Sequence, residues 1–259
     1  MTSVKDVYNF IDSFAPFDSQ QQWDNSGILV GEPNRIIVRV GVTLDITPQT
    51  VDFAVARGVD LIVSHHPIIF KPQKSFTDES IAYRLAVKGI SAICTHTSLD
   101  SAAGGVNDVL AAVLGLKRVE PLIVLEGEAP ILRAGFVSKM RAIELASVTA
   151  EALGGESYAL RYCDPGKTIE TVAVCGGAGK DFIDDVINAG IDAYITGDVG
   201  YHDFIYALEK GLTLIAAGHH ETENPVVEGI AGMLRKQFEG VDIVVINQSQ
   251  PVKYFVISD

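Results

Sequence analysis

The sequence predicts an α/β protein made of two lobes, in which alternating strands and helices form largely parallel sheets. The first observation is the alternation itself, which starts near residue 35 and continues to the C-terminus. The second is the composition: 47% of the residues are hydrophobic and 20% are charged, which excludes a disordered chain. The third is the length, because 259 residues are long for one compact core.

The first elements carry clear boundary signals. Ser3 can cap a helix together with Asp6, three residues later, and this helix is expected to end near the first proline. Residues 35–44 are rich in β-branched side chains and predict a buried strand. Residues 47–58 begin with Thr-Pro and end with Gly, which predicts a capped helix. Residues 60–64 are a short apolar strand.

An internal repeat gives the domain organisation. Residues 56–64 align with residues 188–196, and this alignment places Asp60 opposite Asp192. In both segments a helix ends at a glycine and leads into a strand. We interpret the match as a duplicated strand–helix–strand unit, although two unrelated units of this kind can also look alike at this level.

The next segments repeat as well. Residues 86–94 match residues 208–216, and each strand is followed, with a one-residue gap in the alignment, by a histidine and a carboxylate four residues later. Residues 126–130 combine Gly, Pro and charge and are the best candidate hinge. The predicted domains are therefore residues 1–125 with 222–259, and residues 126–221.

Charge and cysteine content exclude several classes of protein. The formal net charge of −13 and the scattered positive residues disfavour nucleic-acid binding. The three cysteines lack a C-x-x-C spacing, so neither a disulfide scaffold nor a thiolate zinc site is expected. The longest apolar runs are too short to span a membrane. We expect a cytoplasmic protein without a membrane partner.

All six histidines fall in segments that follow predicted strands, and several have Asp or Glu beside them. Parallel strands end at one edge of their sheet, where ligands commonly bind. The pattern therefore predicts a metal site at the strand C-terminal edge between the two lobes. Imidazole and carboxylate without thiolate suit Zn, Fe, Mn, Co or Ni. His65 and His66 are adjacent, and extended backbone would direct them to opposite sides, which suits two ions.

Several motifs resemble the NIF-three-like family, also called the GTP cyclohydrolase 1 type 2 family. They are the Ser-His-His-Pro segment at 64–70, the Thr-His-Thr-Ser-Leu-Asp segment at 95–108, Thr-Gly-Asp at 196–198, Gly-His-His-Glu-Thr-Glu at 218–223 and Trp-Asp-Asn at 23–31. The resemblance implies a two-domain α/β subunit with two divalent metal ions, assembled into a homohexameric ring. By motif position it implies five metal ligands: His65, His66, Asp100, His219 and Glu223.

The leading hypothesis is a dinuclear metal-dependent hydrolase acting on a small molecule. The resemblance implies ring opening at C8 of the guanine of GTP. A non-enzymatic metal-binding ring or partner-binding scaffold is one alternative, and a metal-dependent phosphoester hydrolase is another. We predict that Glu223, with the longer side chain, bridges the ions in preference to Asp100, and that the neighbouring Glu221 faces solvent.

Other residues have two interpretations each. His96, Asp198 and His202 are candidates for orienting the metal ligands, and His96 is expected to bond to Asp100. Residues 176–180 are either a phosphate-binding loop or a tight turn from strand to helix. Trp23 and Asp24 are candidates for lining the pocket, and Trp23 either stacks on a flat base or lies in the core.

Overall fold

The computed structural model describes residues 1–122, 129–154, 158–248 and 252–253. The helices are α1 (Val4–Phe14), α2 (Pro48–Arg57), α3 (Ile81–Lys88), α4 (Thr97–Ser101), α5 (Val106–Val113), α6 (Ala142–Leu153), α7 (Ile183–Asn188), α8 (Tyr201–Lys210), α9 (His219–Glu223) and α10 (Pro225–Gln237). The strands are β1 (Gly27–Val30), β2 (Arg39–Thr43), β3 (Leu61–Ser64), β4 (Ser91–Cys94), β5 (Lys117–Pro121), β6 (Arg133–Met140), β7 (Arg161–Tyr162), β8 (Ile169–Cys175), β9 (Ala193–Thr196), β10 (Thr213–Ala216) and β11 (Asp242–Val245).

The chain forms two compact units. The first contains residues 1–105 and 226–249, and the second contains residues 106–225 and 250–259. The predicted boundary at 125/126 differs from this division, because α5 packs into the hydrophobic core of the second unit and β5 pairs with β6 there. Most of the predicted hinge, residues 126–128, lies outside the described residues.

The sheet of the first unit has the strand order β1-β4-β3-β2-β11. β4, β3, β2 and β11 are parallel, and β1 runs antiparallel to β4. All residues of β3 and β4 are buried, and Ile62 and Ala92 share a core cluster with Val51 and Leu85 from the flanking helices. The central strands are therefore short apolar runs, as expected for strands covered on both faces.

The sheet of the second unit has the order β5-β6-β8-β9-β10-β7. Within the described part of the chain its parallel pairs are β8–β9 and β9–β10, and the outer pairs are antiparallel, so it is a mixed sheet. Ala193 and Ile195 pack into one core cluster, whereas Tyr194 between them packs into another. This alternation shows that helices cover both faces of the central strands. The α/β class is confirmed.

The repeat seen in the sequence corresponds to the same local architecture in both units. Segments β2-α2-β3-α3-β4 and β8-α7-β9-α8-β10 each form three adjacent parallel strands. Asp60 accepts hydrogen bonds from the backbone N–H groups of Val38 and Arg39 at 2.8 and 3.1 Å. Asp192 accepts the equivalent bonds from Glu170 and Thr171 at 3.0 and 2.9 Å. Each aspartate thus fixes the start of the neighbouring strand.

The predicted caps, helices and strands near the N-terminus form as expected, with one difference. Ser3 and Asp6 form a capping box at α1, and Thr47 caps α2, which ends at Gly58 in the left-handed conformation. The predicted strand at 35–44 is shorter, because Asp60 holds the backbone at residues 38 and 39 and only β2 joins the sheet. Among the described residues, no helix has the length and hydropathy needed to cross a membrane.

Asp192→Ala should lower the free energy of unfolding by about 1–3 kcal/mol, because two backbone donors and the Thr171 hydroxyl lose their acceptor. Burial on its own raises the pKa of Asp192, but the bonds from Glu170 and Thr171 outweigh it and lower the pKa. The carboxylate therefore stabilises the fold at neutral pH, and its contribution is lost as the pH falls through the lowered pKa.

Urea unfolding at neutral and acid pH measures both effects. Asp181→Ala removes an exposed aspartate from the same unit and is the control. Equal stability of Asp192→Ala and the control at neutral pH would contradict the assigned role.

Candidate metal centre

The sheet edge of the first unit collects four polar side chains. Asp45 follows β2, His65 and His66 follow β3, and His96 follows β4. These strands are parallel, and Thr43, Ser64 and Cys94 pair at the same level, so the chain leaves all three strands at one edge. Topology therefore brings together residues that are far apart in the sequence.

Asp24 reaches the same edge by a different route. β1 is antiparallel to β4, and its first residue, Gly27, pairs with Cys94 at the end of β4. The segment that precedes β1 consequently lies beside the loop that follows β4. A rule that considers only the C-terminal ends of strands does not find Asp24.

Three imidazole rings lie together at this edge. The ring centroids of His65 and His66 are 4.9 Å apart, and that of His96 lies 5.2 Å from His65 and 5.6 Å from His66. Each ring offers a nitrogen, and these atoms all lie within 4.8 Å of one another. The expectation that His65 and His66 face opposite sides is wrong. β3 ends at Ser64, and both histidines lie in a bend where the alternation of a strand no longer applies.

Every ring of this cluster is held through Nδ1. His65 Nδ1–H donates to the carbonyl oxygen of Thr95 at 3.0 Å. His66 Nδ1 lies 2.7 Å from Asp45 Oδ1, and His96 Nδ1 lies 2.8 Å from Asp24 Oδ1. An acceptor at Nδ1 fixes the neutral tautomer that carries its lone pair on Nε2. The three rings are therefore prepared to donate Nε2 lone pairs.

Asp24 is the most firmly held of these carboxylates. Its side chain is fully buried, and Oδ2 accepts from the Thr97 hydroxyl at 2.6 Å and the Thr97 N–H at 3.0 Å. Burial on its own raises the pKa of Asp24, but the bonds from His96 and Thr97 outweigh it and hold the pKa well below its usual range. The predicted bond from His96 to Asp100 is replaced by this bond to Asp24.

Asp45 was not identified from the sequence. Its position directly after a strand is the same signal that identified the histidines. The Gln248 amide donates to Asp45 Oδ2 at 2.6 Å, and the Asp45 N–H donates to Gln248 Oε1 at 3.1 Å. This two-way pairing holds the carboxylate that in turn holds His66.

Asp100 completes the donor set of the first unit. It lies on α4, and its Oδ1 is 3.5 Å from His65 Nε2. The Cys94 thiol lies under the site and donates to the carbonyl oxygen of His65 at 2.9 Å. Burial raises the pKa of this thiol well above its usual value, which keeps it protonated as the donor of this bond.

The second unit carries a smaller set of donors at the edge where β9 and β10 end. His219 Nδ1 lies 2.7 Å from Asp198 Oδ2, and His219 Nε2 lies 3.1 Å from Glu223 Oε2. His219 and Glu223 are separated by one turn of α9, so they project on the same side of it. Asp198 thus holds His219 as Asp24 holds His96.

Glycines let the backbone approach this second set closely. A Cβ atom at Gly177 would lie 2.2 Å from Glu223 Oε1, and Gly177 has a φ of +64°. The N–H groups of Gly176, Gly177 and Gly179 donate to side chains of Asn107, Thr222 and Thr196 at 2.7, 3.0 and 3.0 Å. These donors are engaged within the protein, so the structure favours the tight turn over a phosphate-binding loop.

Comparison with known proteins identifies the family. Residues 2–251 match the family model described as Duf34/NIF3 (NGG1p interacting factor 3). The chain belongs to the Duf34/NIF3 family. The resemblance recognised from the motifs is confirmed.

Two curated relatives of this Duf34/NIF3 chain are named GTP cyclohydrolase 1 type 2 homolog. The one from Clostridium acetobutylicum is 32% identical over 267 residues, which cover 97% of this chain and 98% of the relative. The one from Lactococcus lactis is 34% identical over 246 residues, covering 93% and 94%. The crystal structure of Staphylococcus aureus protein SA1388 has the same fold, with a TM-score of 0.89, 24% identity and coverage of 98% and 99%.

The remaining predicted residues of the Duf34/NIF3 chain have varied environments. His202 is exposed on α8, with its ring 5.5 Å from that of Tyr201. Glu221 is 6% exposed, so the expectation that it faces solvent is wrong: it lies on α9, whose last three residues are all buried. Trp23 is 57% exposed and is not a core residue.

Gly177→Ala should destabilise the Duf34/NIF3 fold by about 1–3 kcal/mol from backbone strain and by more from the clash with Glu223. Gly190→Ala is a matched control, since Gly190 has a φ of +71° but no atom within 4 Å of the added Cβ position. Urea unfolding of both variants separates the clash from the strain. Equal losses of unfolding free energy in the two variants would show that the clash with Glu223 does not contribute to the destabilisation.

Proposed function

We propose that this Duf34/NIF3 protein is a metal-dependent hydrolase. The observation that carries the proposal is the cluster of His65, His66 and His96, whose donor nitrogens lie within 4.8 Å of one another. Neutral imidazoles with donor nitrogens this close can bind a common divalent ion.

The donors of each unit suit a divalent ion. The first unit holds imidazoles and the Asp100 carboxylate, and the second unit, considered by itself, holds His219 and Glu223. Neutral imidazole and carboxylate suit Zn, Fe, Mn, Co or Ni. The proposed ligands are the five residues that the resemblance implies, His65, His66, Asp100, His219 and Glu223, with two ions per chain.

The surrounding residues have positioning roles. Asp45, the Thr95 carbonyl and Asp198 hold Nδ1 of His66, His65 and His219, so that each ring keeps one tautomer and one direction. A carboxylate that holds an imidazole also raises the basicity of its second nitrogen. When bound, a divalent ion of this kind acidifies water and polarises an electrophilic carbon or phosphorus centre.

The substrate class of the proposal follows the names of the relatives. Proteins named GTP cyclohydrolase 1 type 2 homolog match this chain over nearly its whole length, which supports a GTP-like substrate and ring opening at guanine C8. We propose that the reaction takes place in the cytoplasm, which fits the cysteine spacing of the sequence.

Metal content and turnover test the proposal together. Purified protein reconstituted with Mn, Fe, Zn or Co should hold about two ions per chain by elemental analysis and should release formate from GTP. Asp100→Asn and Glu223→Gln should each lose metal and turnover. Asp45→Ala should weaken metal binding by about 10- to 100-fold, because Asp45 acts through His66.

Glu209→Gln alters an exposed glutamate of the second unit and serves as the control. Metal content unaffected by Asp100→Asn and Glu223→Gln would overturn the ligand assignment. Full metal content without turnover of any nucleotide would instead favour a metal-binding scaffold.

We also propose that the chain forms a homohexameric ring, as the resemblance implies. Exposed aromatic and aliphatic side chains on α8, such as Tyr201 at 72% and Leu208 at 46%, support association between copies. Light scattering at micromolar concentration should give a mass of six chains. A monomer under these conditions would contradict the proposal, and Leu208→Glu should reduce the mass if α8 takes part.

A further inference from the structure

Two exposed aromatic rings lie beside the histidine cluster of the first unit. Trp23 is 57% exposed and Phe70 is 50% exposed, and their ring centroids are 5.6 Å apart at an interplanar angle of 42°. The centroid of His96 lies 5.8 Å from Trp23 and 6.1 Å from Phe70. The two rings, which we call the aromatic platform, therefore border the histidine cluster on the side of His96.

We propose that the aromatic platform stacks on a planar heteroaromatic ring of the substrate. The inference rests on the proposed hydrolase function and assigns the part of the site that selects the substrate. Stacking suits this class of ligand, because a flat π-system covers the exposed faces of Trp and Phe without requiring a particular hydrogen-bonding pattern.

The platform is held in place by polar anchors on the residues next to it. Asp24 bonds to His96 and Thr97, and Asn25 donates to the carbonyl oxygen of Ile69 at 2.6 Å. Asn25 thereby ties the segment that carries Trp23 to the segment that carries Phe70. Within the Trp-Asp-Asn motif, Trp23 is left exposed while the next two side chains fix its position.

The fixed position of the two rings favours a ligand-binding role for the platform over a purely structural one. Rings ordered before binding lose little entropy when a ligand stacks on them. Exposed apolar rings contribute little to the folded state, and their position beside three imidazoles points to a ligand that reaches both. A macromolecule covering the platform would also block access to the histidine cluster, so we commit to a small molecule.

The chain offers a direct probe, because Trp23 is its single tryptophan. Guanosine should quench tryptophan fluorescence saturably in the full-length protein, both with bound metal and after chelation, whereas ribose should not. Phe70→Ala should weaken guanosine binding by about tenfold, and Trp23→Ala, measured by equilibrium dialysis, by at least as much. Tyr83→Ala, which removes another exposed aromatic of the first unit, should leave the affinity unchanged.

Three results would overturn the proposal: no saturable quenching, equal effects of ribose and guanosine, or unchanged affinity in both platform variants. A change of oligomeric mass in Trp23→Ala with unchanged nucleoside affinity would identify the platform as a contact between copies instead. The binding assay needs no turnover. Wild-type protein that takes up metal but does not bind guanosine therefore rejects the platform alone, whereas wild-type protein that binds guanosine but takes up no metal rejects the hydrolase alone.

Discussion

The candidate site depends on one constraint, which is that an imidazole directs a lone pair reliably only when its other nitrogen has a fixed acceptor. Four histidines of this chain meet that condition through Nδ1: His65 with a backbone carbonyl, and His66, His96 and His219 with carboxylates. The acceptors come from strand ends and from the loop before an antiparallel edge strand. The sheets therefore fix the positions of the acceptors, and the acceptors fix the orientation of the imidazole rings.

The duplicated units show how one arrangement of strands and helices supports two different donor sets. Asp60 and Asp192 accept the same pair of backbone hydrogen bonds, so the start of the neighbouring strand is fixed in the same way in both units. His96 and His219 occupy equivalent places after β4 and β10, each held by an aspartate. The loop after β3 carries two histidines, whereas the loop after β9 carries Gly197 and Asp198. The two donor sets differ in loops at the sheet edges, where a substitution does not disturb the buried strands.

The sequence predicted the α/β class, the early caps and strands, and the grouping of His65, His66 and His96, because these follow from local patterns and the parallel arrangement of strands. It failed where the outcome depends on a single backbone angle or a distant pairing. The direction of the His65 and His66 rings depends on a bend that periodicity does not encode. The bond between His96 and Asp24 required knowledge that β1 is antiparallel, and the burial of Glu221 required the packing around α9.

The pairing of Asp45 with Gln248 has a consequence for folding. The two residues are separated by 203 positions, and Gln248 follows β11, which pairs with β2 in the sheet. The amide that orients Asp45, and through it the ring of His66, is therefore in place only after β11 has joined the sheet. A contact between residues so far apart in the chain costs loop-closure entropy before it forms, so the ordering of His66 follows the assembly of the whole sheet.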